Sequence, residues 1–181
     1  MESKIKIKKV ELVGKYSAML SLIELALGST LHSLRIPFSG NFLSLNQGFL
    51  LCRASIESRE SQLGSVAYGI SNVSAVLKSL APAGKKLGPM LSLSMQGLLF
   101  SAGERLLGAN LGGWMLGMAL LSLWTFLQPI VTYYVFFGSE LVRALGYFAE
   151  KTLPNYQLDW QILIWAFLLL ICLKVLFAVF L

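Results

Sequence analysis

The sequence predicts an all-α, polytopic membrane helical bundle of about six transmembrane helices, with a short interfacial helix before the last. Only 13% of the 181 residues are charged while 56% are hydrophobic, roughly half the charged share of a soluble domain. Two apolar runs, Leu111 to Phe137 and Trp160 to Leu181, each exceed the roughly 20 residues a helix needs to cross a hydrocarbon core. Lys4, Lys6, Lys8, Lys9 and Lys15 crowd the start of the chain, as in a cytoplasmic anchor facing anionic lipid.

The chain reads as one domain over residues 1–181, opening on a basic cytoplasmic segment, 1–11. Leu12 to Ile36 is the first span. Phe42 to Cys52, Leu63 to Leu80 and Leu87 to Ala102 are shorter and rich in Ser, Asn, Gln and Gly. Helices enclosed by neighbours tolerate that composition and lipid-facing ones do not; four full spans with re-entrant middle segments would give the same pattern. The fifth span, Leu111 to Phe137, is interrupted only by Pro129. From Ser139 to Lys151, Leu141, Val142, Leu145 and Phe148 share one helical face, opposite Glu140, Arg143, Tyr147 and Glu150. That is an amphipathic helix for the outer interface, with Tyr156 and Trp160 at headgroup level. The last span holds one charge, Lys174, placed to snorkel. Alternating the spans puts nine of the fifteen Lys and Arg residues inside, which orients the N-terminus to the cytoplasm of an inner (plasma) membrane.

The segment 43–51 echoes 91–100 with one inserted residue, and each follows a Pro/Gly loop. A duplicated hairpin, as in transporters built from repeats, and chance likeness between apolar sequences both account for it.

Polar groups inside the spans are the candidate site. A carboxylate at the depth of Glu24 costs about 2.5–3.5 kcal/mol to insert, so it faces protein or water. At 100° per residue Ser17, Ser21, Glu24, Gly28 and Arg35 form one stripe, with His32 displaced by a quarter-turn. Glu24 is either a proton or ligand site or a buried carboxyl satisfied by Ser, Asn or Gln of a neighbouring span. Gln47, Gln96 and Gln128 each bring two donors and an acceptor oxygen, which suits an amide-bearing or heterocyclic ligand, or simple bonding between helices. Trp124, Gln128, Pro129 and Tyr133 cluster in the outer half of the fifth span, where aromatics stack planar ligands or merely anchor the interface. Gly108, Gly112, Gly113 and Gly117, at small-xxx-small spacing, provide close helix approach.

Catalysis is not expected. The single His comes with no HExxH, GxSxG or Walker loop and no closely spaced carboxylate pair. Cys52 and Cys172 offer neither a disulfide framework nor a CxxC metal site. No metal, cofactor or nucleic acid is expected. Glu104, Arg105 and the stretch Glu57 to Glu60 read as solvated surface.

With its small size, basic start and first outer loop Ile36-Pro37-Phe38-Ser39-Gly40-Asn41, the chain resembles the substrate-binding S components of energy-coupling factor vitamin transporters. Gly40 to Leu51 and Pro89 to Phe100 are similar to the proline-to-glutamine segment of the biotin-binding members, although other biotin-family motifs are not evident. The resemblance implies uptake of a small vitamin-like or anionic solute, dependent on a separate ATPase module and a transmembrane coupling protein. It implies docking through the first span, where the family's alanine-x-x-x-alanine is replaced by Ser17-x-x-x-Ser21. The expected solute site takes Asn41 from the first loop, Gln47, Gln96, Trp124, Gln128 and Tyr133, with Arg35 and Lys85 giving positive potential at its mouth. A non-transporting membrane scaffold that binds partner helices and a proton-coupled carrier acting through Glu24 are the alternatives.

Overall fold

A computed structural model of the chain describes residues 2–34, 39–80, 87–138, 140, 143 and 160–180. Every regular element among them is helical: α1 (Glu2–Ser33), α2 (Ser39–Glu60), α3 (Ala67–Ser79), α4 (Leu87–Leu107), α5 (Leu111–Phe137) and α6 (Trp160–Phe180). The basic N-terminal segment is part of α1, so the lysines continue the first helix. By length and composition one helix, over Leu111–Thr132, suffices to cross a membrane, and Ile164–Phe177 is a shorter apolar stretch. With 13 residues, α3 is only about 20 Å long at 1.5 Å per residue. The expected interfacial helix lies outside the described residues, apart from Glu140 and Arg143, which form an exposed ion pair at 3.3 Å.

Helix α2 is the hub. It touches each of the other five, while α1, α3, α4, α5 and α6 follow one another around it, each against the next. Its buried residues form one broad face: Leu43, Ser44, Gln47, Gly48, Leu50, Leu51, Ala54 and Ser55 fall within about 160° of one another at 100° per residue, while Phe42 and Arg53 on the other side are exposed. A helix face buried this broadly is ordinarily apolar; this one carries serines and a glutamine, which need partners on its neighbours.

Side-chain contacts fix the helix directions. Lys15 meets Glu57 and Gly28 meets Leu43, so α1 and α2 are antiparallel. Ser17 meets Ile70 and Glu24 meets Lys78, so α1 and α3 run together. Gln128 meets Gly88 and Gly117 meets Phe100, so α5 opposes α4. The helix ends that flank 35–38, 81–86 and 139 therefore lie at one end of the bundle, opposite the N-terminal lysines.

The connection from α4 to α5 is tight for a readable reason. Gly108 has φ +85°, a left-handed conformation that glycine adopts without a Cβ penalty. Asn110 then accepts from the Gly113 N–H at 3.1 Å and donates to the Leu107 carbonyl at 2.7 Å, capping one helix and closing the other. Beyond it Gly103, Gly113 and Gly117 let the α4 and α5 backbones touch: a Cβ on Gly103 would lie 2.8 Å from the Gly113 carbonyl oxygen. The glycine spacing noted in the sequence is thus an intramolecular packing seam, joined by Gly103 from the facing helix.

A hydrophobic core around Leu20, Leu51, Ile70, Phe100, Met118 and Leu121 is interleaved with polar groups, and apolar side chains also cover the outside. Ser17, Ser44, Ser71, Ser74, Ser101 and Ser122 are buried, whereas Leu22, Val76, Leu80, Leu106, Val135, Trp165 and Leu169 are exposed. Two charged residues depart from the sequence expectation. Glu104 is buried, 4% exposed, and accepts from the Ser65 hydroxyl at 2.6 Å, because the close α4–α5 approach draws that part of α4 inside. Lys174 does not snorkel: it is 6% exposed and donates to Asn41 Oδ1 and Ser44 Oγ, each at 2.8 Å, since α6 packs against the polar start of α2.

At the lysine-rich end, Lys15 Nζ donates to Glu57 Oε2 at 2.9 Å and the Tyr16 hydroxyl donates to the same oxygen at 3.0 Å. Glu57 lies beyond the apolar run of α2. Its hydrogen bond from the Lys15 ammonium, followed by that from Tyr16, holds its carboxyl below the ordinary glutamate value of 4.5. A carboxyl with a depressed folded value stabilises above its unfolded value and loses that contribution as pH falls through the folded one. The melting-temperature advantage of the natural chain over Glu57→Gln is therefore expected to shrink on acidification below 4.5 and, the pair being half exposed, to shrink in high salt.

Candidate functional site

The end of the bundle away from the lysines holds a cavity of about 340 Å³, within the range of small-molecule sites. Its walls include Glu24 of α1, Ser44 and Gln47 of α2, Ser92 and Gln96 of α4, and Thr125, Gln128 and Thr132 of α5. Three glutamines far apart in sequence thus meet Glu24 in one space. The walls are set at α4 and α5 by proline: Pro89 lies in the first turn of α4, where a missing N–H costs nothing, and Pro129 lies inside α5. Pro129 cannot donate to the Thr125 carbonyl, so a backbone acceptor is released on the cavity wall.

Each amide is anchored differently. Gln47 Nε2 donates to Ser71 Oγ of α3 and to the Leu93 carbonyl of α4, both at 3.0 Å. Gln128 Nε2 donates to the Gly88 carbonyl at 3.0 Å, tying α5 to the start of α4. Gln96 Nε2 donates to Ser92 Oγ at 2.8 Å, one turn back on its own helix. Its Oε1 is buried with no hydrogen-bond partner, as is Thr132 Oγ1. Buried acceptors in native proteins are almost always satisfied, and these two belong to residues that line the cavity, where a side-chain rotation would turn them to a ligand's donors.

The echoed segments meet here with a division of labour. Gly97 follows Gln96 and sits so close to α3 that a Cβ would overlap the Ser71 side chain. That closeness brings Ser71 to Gln47, so the glycine of the second segment supports the glutamine of the first.

Glu24 has a partner the sequence reading did not assign. Lys78 Nζ donates to the Glu24 carbonyl at 2.7 Å and lies 3.4 Å from Glu24 Oε2, the two side chains being 13% and 6% exposed. Beside the two satisfactions the sequence offered, the structure adds an ion pair, made possible because α1 and α3 run together. Gly28 leaves room for it, since a Cβ there would stand 3.2 Å from Lys78 Nζ. The stripe of Ser17, Ser21, Glu24 and Gly28 is the inward face of α1. Ser17 donates to the Ile70 carbonyl and its own carbonyl accepts from Ser74, both at 3.2 Å. Ser17 and Ser21 therefore face the bundle interior and do not present an outer docking surface. Assigning Lys78 and Lys174 to the bundle removes one cation from each side of the sequence's inside–outside balance, whose bias is left to the N-terminal lysines.

The remaining expected residues divide by position. Arg35 and Lys85 lie outside the described residues, as do the side chains of His32 in α1 and Tyr133 in α5. Trp124 lies on α5 with its indole N–H buried and unpartnered, and it is not part of the cavity wall. Asn41 is turned to Lys174 on the other side of α2. Sequence reasoning missed Ser92, Thr125 and Thr132. Ser92 was legible, standing one helical turn before Gln96 on the same face; the other two needed the helix rotation.

Among the described residues no cluster of three or more His, Cys, Asp or Glu gathers to hold a metal, and the cavity offers hydrogen-bonding groups. No protein-family model matches the chain, and neither does any curated protein or solved structure.

Replacing Gln96 by leucine tests what its open oxygen is for. The change removes a buried unsatisfied acceptor and keeps an apolar body, so the unfolding free energy is expected to hold or rise, by about 1 kcal/mol or less. A large loss of stability would show that Gln96 serves the fold.

Proposed function

We propose that this chain is a multi-pass protein of the inner membrane, with six membrane-inserted helices and a cytoplasmic N-terminus, that binds a small solute for uptake. In this reading it is the substrate-binding subunit of a transporter whose energy comes from a separate ATPase module, reached through a transmembrane coupling protein. The apolar exterior over buried polar groups supports the membrane setting: hydrocarbon solvates exposed Leu, Val and Trp, while serines and amides need protein partners. The short α3 would be accommodated by local thinning or by neighbours that cover its ends.

The observation that carries the solute-binding reading is the pair Gln96 and Thr132, which line a cavity of ligand size and whose Oε1 and Oγ1 are left without hydrogen-bond partners. The described wall carries no lysine or arginine. With Glu24, its one charged residue, paired to Lys78, the wall suits a neutral group, an amide or a nitrogen heterocycle of the kind vitamins carry. Any anionic portion of the solute would fall to Arg35 and Lys85 on the segments after α1 and before α4. With Ser17 and Ser21 turned inward, docking through α1 would use the exposed small residues Gly14 and Ala18.

The test is native mass spectrometry and thermal shift on the purified full chain in micelles, against a panel of vitamins and related heterocycles. One compound is expected to bind once per chain, and Gln96→Leu to weaken it by about tenfold or more while the fold stays intact. A chain that binds none of the panel and brings down no ATPase overturns the reading. The scaffold alternative draws on Gln47, whose amide N–H groups are spent on Ser71 and Leu93; it gains if Gln96→Leu releases a protein partner instead of a solute.

A further inference from the structure

On the opposite side of α2 from the amide cavity, between α2, α5 and α6, runs an apolar groove of about 720 Å³. Phe42, Leu45, Leu173, Leu176 and Phe177 line it, and Lys174 and Asn41 supply its polar end. Phe42, Leu173, Leu176 and Phe177 are exposed, so the groove opens sideways from the bundle. Lys174 is 6% exposed. Its ammonium contacts Asn41 Oδ1, Ser44 Oγ and, at 5.7 Å from the centroid, the Phe126 ring. All three are formally neutral, and among the described residues no carboxylate pairs with it. A buried cation is costly unless paired, and an ammonium has three donors, of which two are used.

We infer that this groove binds a long-chain fatty carboxylate drawn from the bilayer, its head on Lys174 and its tail along Phe42, Leu45, Leu173, Leu176 and Phe177. A carboxylate matches the site in charge and size. It supplies one negative charge to one uncompensated cation and accepts the third ammonium hydrogen. The lateral opening admits a tail directly from hydrocarbon. A two-chain phospholipid would have to bring a bulky headgroup and a second tail to a cation at the buried end of the groove. The inference rests on the membrane setting and is independent of solute uptake.

The test uses the full chain in micelles with carbon-13-labelled oleate as probe, oleyl alcohol as its uncharged counterpart and phosphatidylglycerol as the rival lipid. The natural chain is expected to bind one oleate, with a shifted carboxylate resonance. Lys174→Met should weaken oleate by about tenfold or more, the loss of a charge-assisted hydrogen bond, and Gln96→Leu should leave it unchanged. Leu45→Trp, which fills the groove and keeps the lysine, should also abolish binding, and it decides the matter if Lys174→Met does not fold. Oleate binding unaffected by Lys174→Met, oleyl alcohol binding as tightly as oleate, phosphatidylglycerol displacing oleate at equal concentration, or no oleate bound at all would each overturn the inference.

Discussion

Truncating Glu24 to alanine is expected to cost about 3–5 kcal/mol of stability, because it leaves the Lys78 ammonium buried without its counter-charge. The two side chains are 6% and 13% exposed, so little water solvates the charge left behind. Lys78→Met should also be destabilising, since it removes the Glu24 counter-charge at 3.4 Å. The double variant Glu24→Gln, Lys78→Met should recover most of the loss, since well-packed neutral groups often replace a buried ion pair without penalty. Denaturant unfolding in micelles measures all four chains, and the coupling is read from the cycle. Single variants within 1 kcal/mol of the natural chain would show that the pair is solvated and the cavity wall looser than described. The same cycle bears on the proton-coupled alternative. If Glu24 acts through Lys78 to hold the fold, its replacement reduces the proposed uptake only in step with folded protein; loss of uptake at full folding would favour the proton-coupled reading.

The second large effect is expected at the α4–α5 seam. A Cβ on Gly103 would lie 2.5 Å from the Gly117 Cα and 2.8 Å from the Gly113 carbonyl oxygen, and one on Gly117 would lie 2.9 Å from the Phe100 carbonyl oxygen. These neighbours are backbone and cannot rotate away, so the helices must separate. Alanine gains about 1 kcal/mol of helix propensity over glycine, but overpacking of this kind costs about 1–3 kcal/mol. Gly103→Ala should be destabilising on balance, and Gly103→Leu should prevent the native packing. Gly14→Ala is the control: it stands on the exposed face of α1 with nothing within 4 Å, and it should be neutral or stabilising. Equal behaviour of Gly14→Ala and Gly103→Ala in the unfolding assay would contradict the seam.

Much of this layout was legible in the sequence because burial in such a chain is announced by polarity. The middle helices declared themselves by Ser, Asn and Gln within apolar runs, and the glutamines do converge. The stripe Ser17, Ser21, Glu24, Gly28 followed from helical periodicity alone and is the face that packs inward. What periodicity could not give was the partner across each interface. Lys78 fell near the end of the Leu63 to Leu80 run and Lys174 read as a snorkelling cation, because a lysine near the end of an apolar run has two destinations that one-dimensional pattern does not separate. Glu104 read as solvated for the same reason; its burial depends on Gly103, Gly113 and Gly117 bringing two helices together. Asn41 was assigned to the site by its loop, but the rotation of α2 turns it to Lys174 instead.

The account stands on a polar cavity that opens away from the N-terminal lysines within a membrane-embedded bundle. Thr132→Cys, on the cavity wall and in a background with Cys52 and Cys172 replaced by serine, reports on both parts at once. In intact spheroplasts the introduced thiol should react with a membrane-impermeant maleimide, and a bound solute should slow the reaction. Labelling that requires permeabilised cells, or recovery of the Thr132→Cys chain in the soluble fraction without detergent, would contradict it.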